Sequence, residues 1–212
     1  MGFTLIEMIV VLSIMVILTL VVLTGQSTFN QSLLLNDTAY TLALSIREAQ
    51  SLGLSSRKFA STQNAGYGIN MNSGTPIKYQ IFADISPLAP GNAQGGVCPG
   101  HSQNSGPEAR PGNCLYDSAS ELVQEYTFTR GFTIGNFCGI YNGSKICTAN
   151  GLTTLSIVFE RPNATTAITG IYNSAVVPLS CGEIHVTAPT GGVERIMKVT
   201  AAGQVAMNQA CP

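Results

Sequence analysis

Glu7 is the only charge in an apolar run, Phe3 to Leu23, that reads FTLIEMIVVLSIMVILTLVVL. A carboxylate inside such a run costs about 2.5–3.5 kcal/mol on membrane-insertion scales, so it marks a functional position by default. Its chemistry there is pairing: it must meet a cation, take up a proton or snorkel to the headgroups. The second reactive set is six cysteines, Cys98, Cys114, Cys138, Cys147, Cys181 and Cys211, all in the later half of the chain. An even number in loop-rich, exported-looking sequence predicts disulfides, with fifteen pairings open. The nearest-neighbour set is Cys98–Cys114, Cys138–Cys147 and Cys181–Cys211. Each bridge would staple a local excursion and stabilise the fold by roughly 2–4 kcal/mol through the unfolded chain. Zinc is the rival use of these thiols, but the sequence has no C-x-x-C pair, and Cys98-Pro-Gly-His101 is its one close Cys/His pair. Structural zinc normally shows two such pairs, so the expectation is no metal.

Catalytic sets are missing from the sequence. It contains no G-x-S-x-G elbow, no H-E-x-x-H and no P-loop. His101 falls in a long loop, and His185, between Ile184 and Val186, is predicted to face away from both. Glu121 and Glu125, four apart, read as a solvated pair on one helix face. No Asp/Asn loop has calcium spacing. The chain is therefore expected not to be an enzyme and to need no cofactor. Nucleic acid binding wants clustered cations. Arg57-Lys58 is the single adjacent basic pair, and Arg195 and Lys198, three apart on one strand, should point to opposite faces. Ten Lys+Arg against eleven Asp+Glu give a net charge of −1, and charged residues are 10% of the 212. That excludes a polycationic binder or an acidic tail. Neutral groups, 18 Ser, 20 Thr and 14 Asn, must then solvate most of the surface, which suits subunit packing.

The elements that carry these residues follow from periodicity. The 21 residues from Phe3 to Leu23 reach about 30 Å as a helix, enough to span a bilayer core. A cleaved signal peptide is the alternative, but it wants a basic start and a shorter apolar region, and the first basic residue is Arg47. Thr24-Gly25 is a weak point. From Gln26 the helix resumes with Leu35, Ala39, Leu42, Ala43, Ile46 and Ala49 at spacings of three and four, a core stripe that should end near Ser55, with Gly53 as a stop. Strands are predicted at Gly66–Met71, Lys78–Ala83, Tyr126–Arg130, Thr153–Glu160, Ala167–Tyr172, Glu183–Ala188, Glu194–Thr200 and Gln204–Met207. Pro87 to Asn113 reads as one long loop. One long helix followed by short strands predicts an α+β domain, the helix packed on antiparallel sheet.

Gly2-Phe3-Thr4-Leu5-Ile6-Glu7 ahead of an apolar stretch resembles the processing signal of type IV pilins and pseudopilins. The resemblance implies cleavage by a prepilin peptidase between Gly2 and Phe3, and methylation of the new Phe3 amine. Glu7 falls where the family's glutamate pairs with the first amine of a neighbouring subunit and so sets axial register. Met1 alone precedes Gly2, where the family's leaders carry Lys or Arg. Within the family, four segments resemble the H-type minor pseudopilins of type II secretion systems and related minor pilins. They are Tyr67-Gly68-Ile69, Tyr79-Gln80-Ile81-Phe82, Leu155-Ser156-Ile157-Val158-Phe159 before Pro162, and Arg195-Ile196-Met197-Lys198-Val199 before Gly203-Gln204-Val205. The resemblance favours the Cys181–Cys211 pair, because many pilins close their C-terminal region with a disulfide. It also implies a prokaryote, which discounts the glycosylation patterns Asn142-Gly143-Ser144 and Asn163-Ala164-Thr165.

The expected organisation is a residual leader (1–2), a transmembrane and assembly helix (3–25), an amphipathic continuation (26–55) and a β-rich domain with disulfide loops (56–212). The expected function is a minor pseudopilin. It would be held in the bacterial inner or cytoplasmic membrane by a single helix, with its domain outside the cytoplasm, and would join a filament on assembly. Expected partners are other pilin or pseudopilin subunits, the prepilin peptidase and the membrane. A minor type IV pilin acting in pilus priming, adhesion or DNA uptake is the alternative, with the Pro87–Asn113 loop as its contact surface.

Overall fold

The structure is a computed structural model, and it describes residues 4–55, 58–60, 62, 65–86, 98, 112–159, 166–189 and 192–212, with backbone alone for 23–28. A single helix, α1 (Leu5–Leu54), opens the fold. Its backbone runs unbroken through Thr24-Gly25. One glycine costs only about 1 kcal/mol relative to alanine, which does not break a helix this long. The predicted stripe is the buried face: Leu35, Ala39, Leu42, Ile46 and Ala49 are fully buried and Ala43 nearly so. Gly53 is not a stop. It lies inside the helix, where an added Cβ would sit 2.3 Å from the Phe159 carbonyl oxygen. Only glycine lets the last helical turn approach the sheet so closely.

Among the described residues eleven strands follow: β1 (Gly66–Asn72), β2 (Lys78–Asp84), β3 (Leu122–Thr127), β4 (Thr133–Tyr141), β5 (Ser144–Cys147), β6 (Leu152–Phe159), β7 (Thr166–Tyr172), β8 (Ala175–Leu179), β9 (Cys181–Thr187), β10 (Glu194–Thr200) and β11 (Val205–Met207). They build two antiparallel sheets, one in the order β3-β2-β1-β6-β7-β8 and one in the order β11-β10-β9-β4-β5. The chain crosses between the sheets from β3 to β4, back from β5 to β6, and again from β8 to β9, where the Ser180 amide donates to the Ile140 carbonyl at 2.9 Å. The architecture is α+β, as the element order predicts.

Alternation gives each sheet an inner and an outer face. Ile69, Met71, Leu155, Ile157 and Phe159 of the first sheet and Ile184, Val186, Met197 and Val199 of the second join the α1 stripe in one core. Phe82, Val158 and Ala167 on the outer face of the first sheet pack against Cys98 and Cys114, with Tyr116 alongside.

Several strand expectations need correction. The strand expected at Tyr126–Arg130 starts earlier, at Leu122, and ends at Thr127, because Arg130 and Gly131 take left-handed turn conformations (φ 57° and 77°). β4, β5 and β8 were not predicted. Asn142 and Gly143 have φ of 48° and 77°, the geometry of the two-residue turn that joins twisted antiparallel strands. Asn173 and Ser174 (φ 48° and 66°) repeat it between β7 and β8.

Candidate functional site

The N-terminal end of α1 begins at Thr4, the N-cap. Glu7 closes a capping box: its amide donates to Thr4 Oγ1 at 3.4 Å, and its Oε2 accepts from the Thr4 amide at 3.3 Å. This satisfies backbone donors that a helix start leaves without partners. The sequence pattern Thr-x-x-Glu carried that signal, and the reading of Glu7 as an intramembrane charge passed over it. Gly2 and Phe3, the expected cleavage and methylation positions, lie outside the described residues. From Leu5 to Val22 the helix is long and apolar enough to cross a membrane, and none of that span is buried by the rest of the chain.

The upper half of α1 is fixed to both sheets by polar ties as well as by its stripe. Ser45 Oγ lies 3.0 Å from the buried Tyr79 hydroxyl. Tyr79 stacks on Tyr126 at 5.0 Å between centroids. The Tyr126 hydroxyl donates to Glu48 at 3.1 Å. Burial pushes the Tyr79 pKa up to about 12, so its hydroxyl keeps its proton. On the second sheet, Arg195 donates from Nε to Asn36 Oδ1 at 2.5 Å and from a terminal nitrogen to Ser32 Oγ at 3.3 Å. Arg195 thus faces the helix, and Lys198 falls on the opposite face by alternation, as predicted. Arg57 and His101 lie outside the described residues.

All six cysteines form disulfides in the nearest-neighbour set: Cys98–Cys114, Cys138–Cys147 and Cys181–Cys211. Two of them hold segments against buried carboxylates. On the outer face of the first sheet, Asp84 Oδ1 and Oδ2 accept the amides of Asn113 at 3.0 Å and Cys114 at 2.7 Å. Gly112 (φ +101°) brings its backbone against that carboxyl group, where a Cβ would sit 2.2 Å from the Asp84 carboxyl carbon. Nearby, Glu121 accepts from the amides of Ile85, Ser86 and Asp117. The expected solvated helix pair Glu121/Glu125 is therefore wrong: Glu121 is fully buried, and Glu125 lies on β3, paired with Lys78 at 2.7 Å. Burial raises the Glu121 pKa against the pull of its three amide donors. Lys78 and Gln80 lower that of Glu125.

On the outer face of the second sheet, Glu183 is 1% exposed yet carries charge partners. Lys145 Nζ reaches its two oxygens at 2.9 and 2.8 Å. His185 Nε2 lies 2.6 Å from Oε1. The Cys211 amide donates to Oε2 at 2.6 Å. Burial alone would raise the Glu183 pKa, but Lys145, the Cys211 amide and His185 together hold it below the ordinary carboxylate value. His185 Nδ1 lies 3.0 Å from Glu194 Oε2. As predicted, His185 points away from Ile184 and Val186, which are fully buried. Among the described residues, two sets could present three donor atoms to a metal ion, Asp84 with Cys98 and Cys114, and Cys138 with Glu183 and His185. In both, the sulfurs are tied up in disulfides.

Comparison with protein-family models, with curated proteins and with solved structures finds no match for this chain. The functional reading therefore rests on its own residues and geometry.

Proposed function

We propose that the chain is a minor pseudopilin, a structural subunit of a type II secretion pseudopilus, anchored in the membrane and assembled through α1. The observation that carries the reading is the division of one continuous helix. Its first turns, Leu5–Val22, are apolar and left uncovered by the rest of the chain, while Leu35, Leu42, Ile46 and Ala49 are buried in the core with both sheets. Apolar surface of that extent leaves water only into lipid or into a bundle of similar helices. The Gly2-Phe3-Thr4-Leu5-Ile6-Glu7 resemblance adds the route between the two. A prepilin peptidase cuts after Gly2, Phe3 is methylated, and Glu7 meets the amine of a neighbouring subunit. The same reading puts the domain outside the cytoplasm, where the three disulfides persist. A minor type IV pilin is the second reading, favoured by the same helix.

Mass spectrometry of the membrane fraction and of sheared filaments tests both. A peptide starting at methylated Phe3 in membranes alone supports the pseudopilin, and the same peptide in sheared filaments supports the pilin. An intact Met1–Phe3 junction in both fractions refutes the family. The capping box makes the Glu7 test two-sided. Glu7→Gln keeps an oxygen for the Thr4 amide and loses the charge, whereas Glu7→Ala loses both. If charge sets register, both variants insert in the membrane and both drop out of the filament. If capping is the whole role, Glu7→Gln assembles normally.

A further inference from the structure

We infer that the Cys138–Cys147 disulfide masks a transition-metal site that opens when this bond is reduced. Three strands of the second sheet bring the site together. Cys138 on β4, Glu183 and His185 on β9 place one sulfur, one carboxylate oxygen and one imidazole nitrogen all within 4.8 Å of one another. Cys147 on β5, directly opposite Cys138 in the strand register, supplies a second sulfur bonded to the first. Two thiolates, an imidazole and a carboxylate form a closed four-ligand set of the kind that zinc takes in tetrahedral sites.

The surroundings orient each of these groups. Glu194 faces His185 Nδ1 at 3.0 Å. Zinc has to displace the hydrogen that Nε2 shares with Glu183 Oε1 at 2.6 Å; with the imidazole proton then on Nδ1 toward Glu194, the Nε2 lone pair is available to the metal, the carboxylate–histidine–metal arrangement. The Asn136 amide donates to Cys138 Sγ at 3.5 Å, and Thr148 Oγ1 fixes the amide by donating to Asn136 Oδ1. The Cys211 amide holds Glu183 Oε2, Lys145 bridges both oxygens, and Oε1 faces His185. Lys145 is 40% exposed and can withdraw to water. In the oxidised chain the sulfurs carry no thiolate, so two ligands remain and no tight site exists.

The exchange balances. A phosphine or dithiol reductant takes the disulfide to two thiols and is itself oxidised by two electrons. Zinc then displaces one proton from each thiol to solvent as the thiolates bind. The sequence reading expected no metal because the chain has no C-x-x-C pair and one close Cys/His pair; strand pairing brings His185 beside Cys138 without any such local signal.

The test uses the full chain in detergent with a phosphine reductant. Zinc is measured by elemental analysis after gel filtration, and cobalt by its visible and thiolate charge-transfer absorption. About one zinc per reduced chain is expected, and at least tenfold less in the oxidised chain. Reductant opens the other two disulfides as well, so the double variant Cys138→Ser/Cys147→Ser, which keeps four cysteines, must lose the zinc. His185→Gln should weaken zinc binding at least tenfold. Glu194→Gln, a surface positioning change that leaves the fold intact, should weaken it several-fold without altering the cobalt spectrum. Zinc uptake by the Cys138→Ser/Cys147→Ser variant, wild-type affinity in His185→Gln, or equal zinc in the reduced and oxidised chain would each overturn the inference.

Discussion

The outer faces of the two sheets solve one problem in two ways. Each buries a carboxylate against a disulfide-tied segment: Asp84 against residues 112–114, tied to Cys98, and Glu183 against the tail tied by Cys181–Cys211. Asp84 is met by main-chain amides of Asn113 and Cys114. Glu183 is met by one amide and by the titratable side chains of Lys145 and His185. Main-chain donors do not titrate, so the two amide ties of Asp84 do not depend on the charge state of their donors. Glu183 sits in a network of charged and polar side chains, and its strength depends on each member being present.

The largest effect expected from breaking this comparison is at Glu183. Glu183→Ala leaves His185 and the Cys211 amide without their acceptor, and each hydrogen bond to a charged group is worth about 1.5–3 kcal/mol, while the 40% exposed Lys145 turns to water. Denaturant unfolding of the purified chain should show that loss, with tail amides near Cys211 exchanging faster. Asp84→Ala strands at least the neutral amides of Asn113 and Cys114, at about 1–3 kcal/mol, with the damage centred on the 112–121 segment. Equal losses from the two variants would mean that the charge partners of Glu183 add nothing to what an amide provides.

A change of pH should divide the faces by sign. Glu183 has a folded pKa below its unfolded value. Its contribution is therefore present above the ordinary carboxylate range and is lost as pH falls through the depressed folded value. Glu121, on the first face, has a raised folded pKa. Its contribution is full below the unfolded value and declines as pH rises through the folded one. Acidification from neutral pH should therefore cut the exchange protection factor of the Cys211 amide, which bonds Glu183, while those of the Ile85, Ser86 and Asp117 amides hold or rise. Parallel loss on both faces would break the distinction.

How far the sequence reveals this depends on the range of the interaction. The α1 stripe was legible because Leu35, Ala39, Leu42, Ala43, Ile46 and Ala49 repeat at helical spacing, and every one of them is buried. Most strands were legible from alternation. The β4–β5 hairpin was missed because Asn142-Gly143 was weighed only as part of a glycosylation pattern, although Asn-Gly is the strongest short-range hairpin signal. Glu121 was misread because a four-residue spacing presupposes a helix, and the segment is a short turn entering β3. Glu183 could not have been singled out. Alternation puts it on one face with His185, but Lys145 comes from β5 and Cys211 from the tail, and only the folded sheet order joins them. Glu7 lies between these cases, since its box with Thr4 is local and readable, while the register role proposed for it needs a second subunit.

The smallest expected effect sharpens the comparison most. Lys145→Met removes the cation closest to Glu183 while keeping its aliphatic stem. The ammonium is 40% exposed while Glu183 is buried, so water already screens one side of the pair. Its removal leaves Oε1 with His185 and Oε2 with the Cys211 amide. A half-exposed ion pair is worth about 1 kcal/mol or less, so Lys145→Met should cost far less than Glu183→Ala. The loss should also shrink as pH falls, because protonated Glu183 has no charge for Lys145 to meet. A pH-independent loss in unfolding experiments would make Lys145 a packing residue, and His185 with the Cys211 amide would then account for the depressed Glu183 pKa. A loss as large as that of Glu183→Ala would mean that the carboxylate is held in place by this one cation, and the second face would be a single ion pair instead of a network.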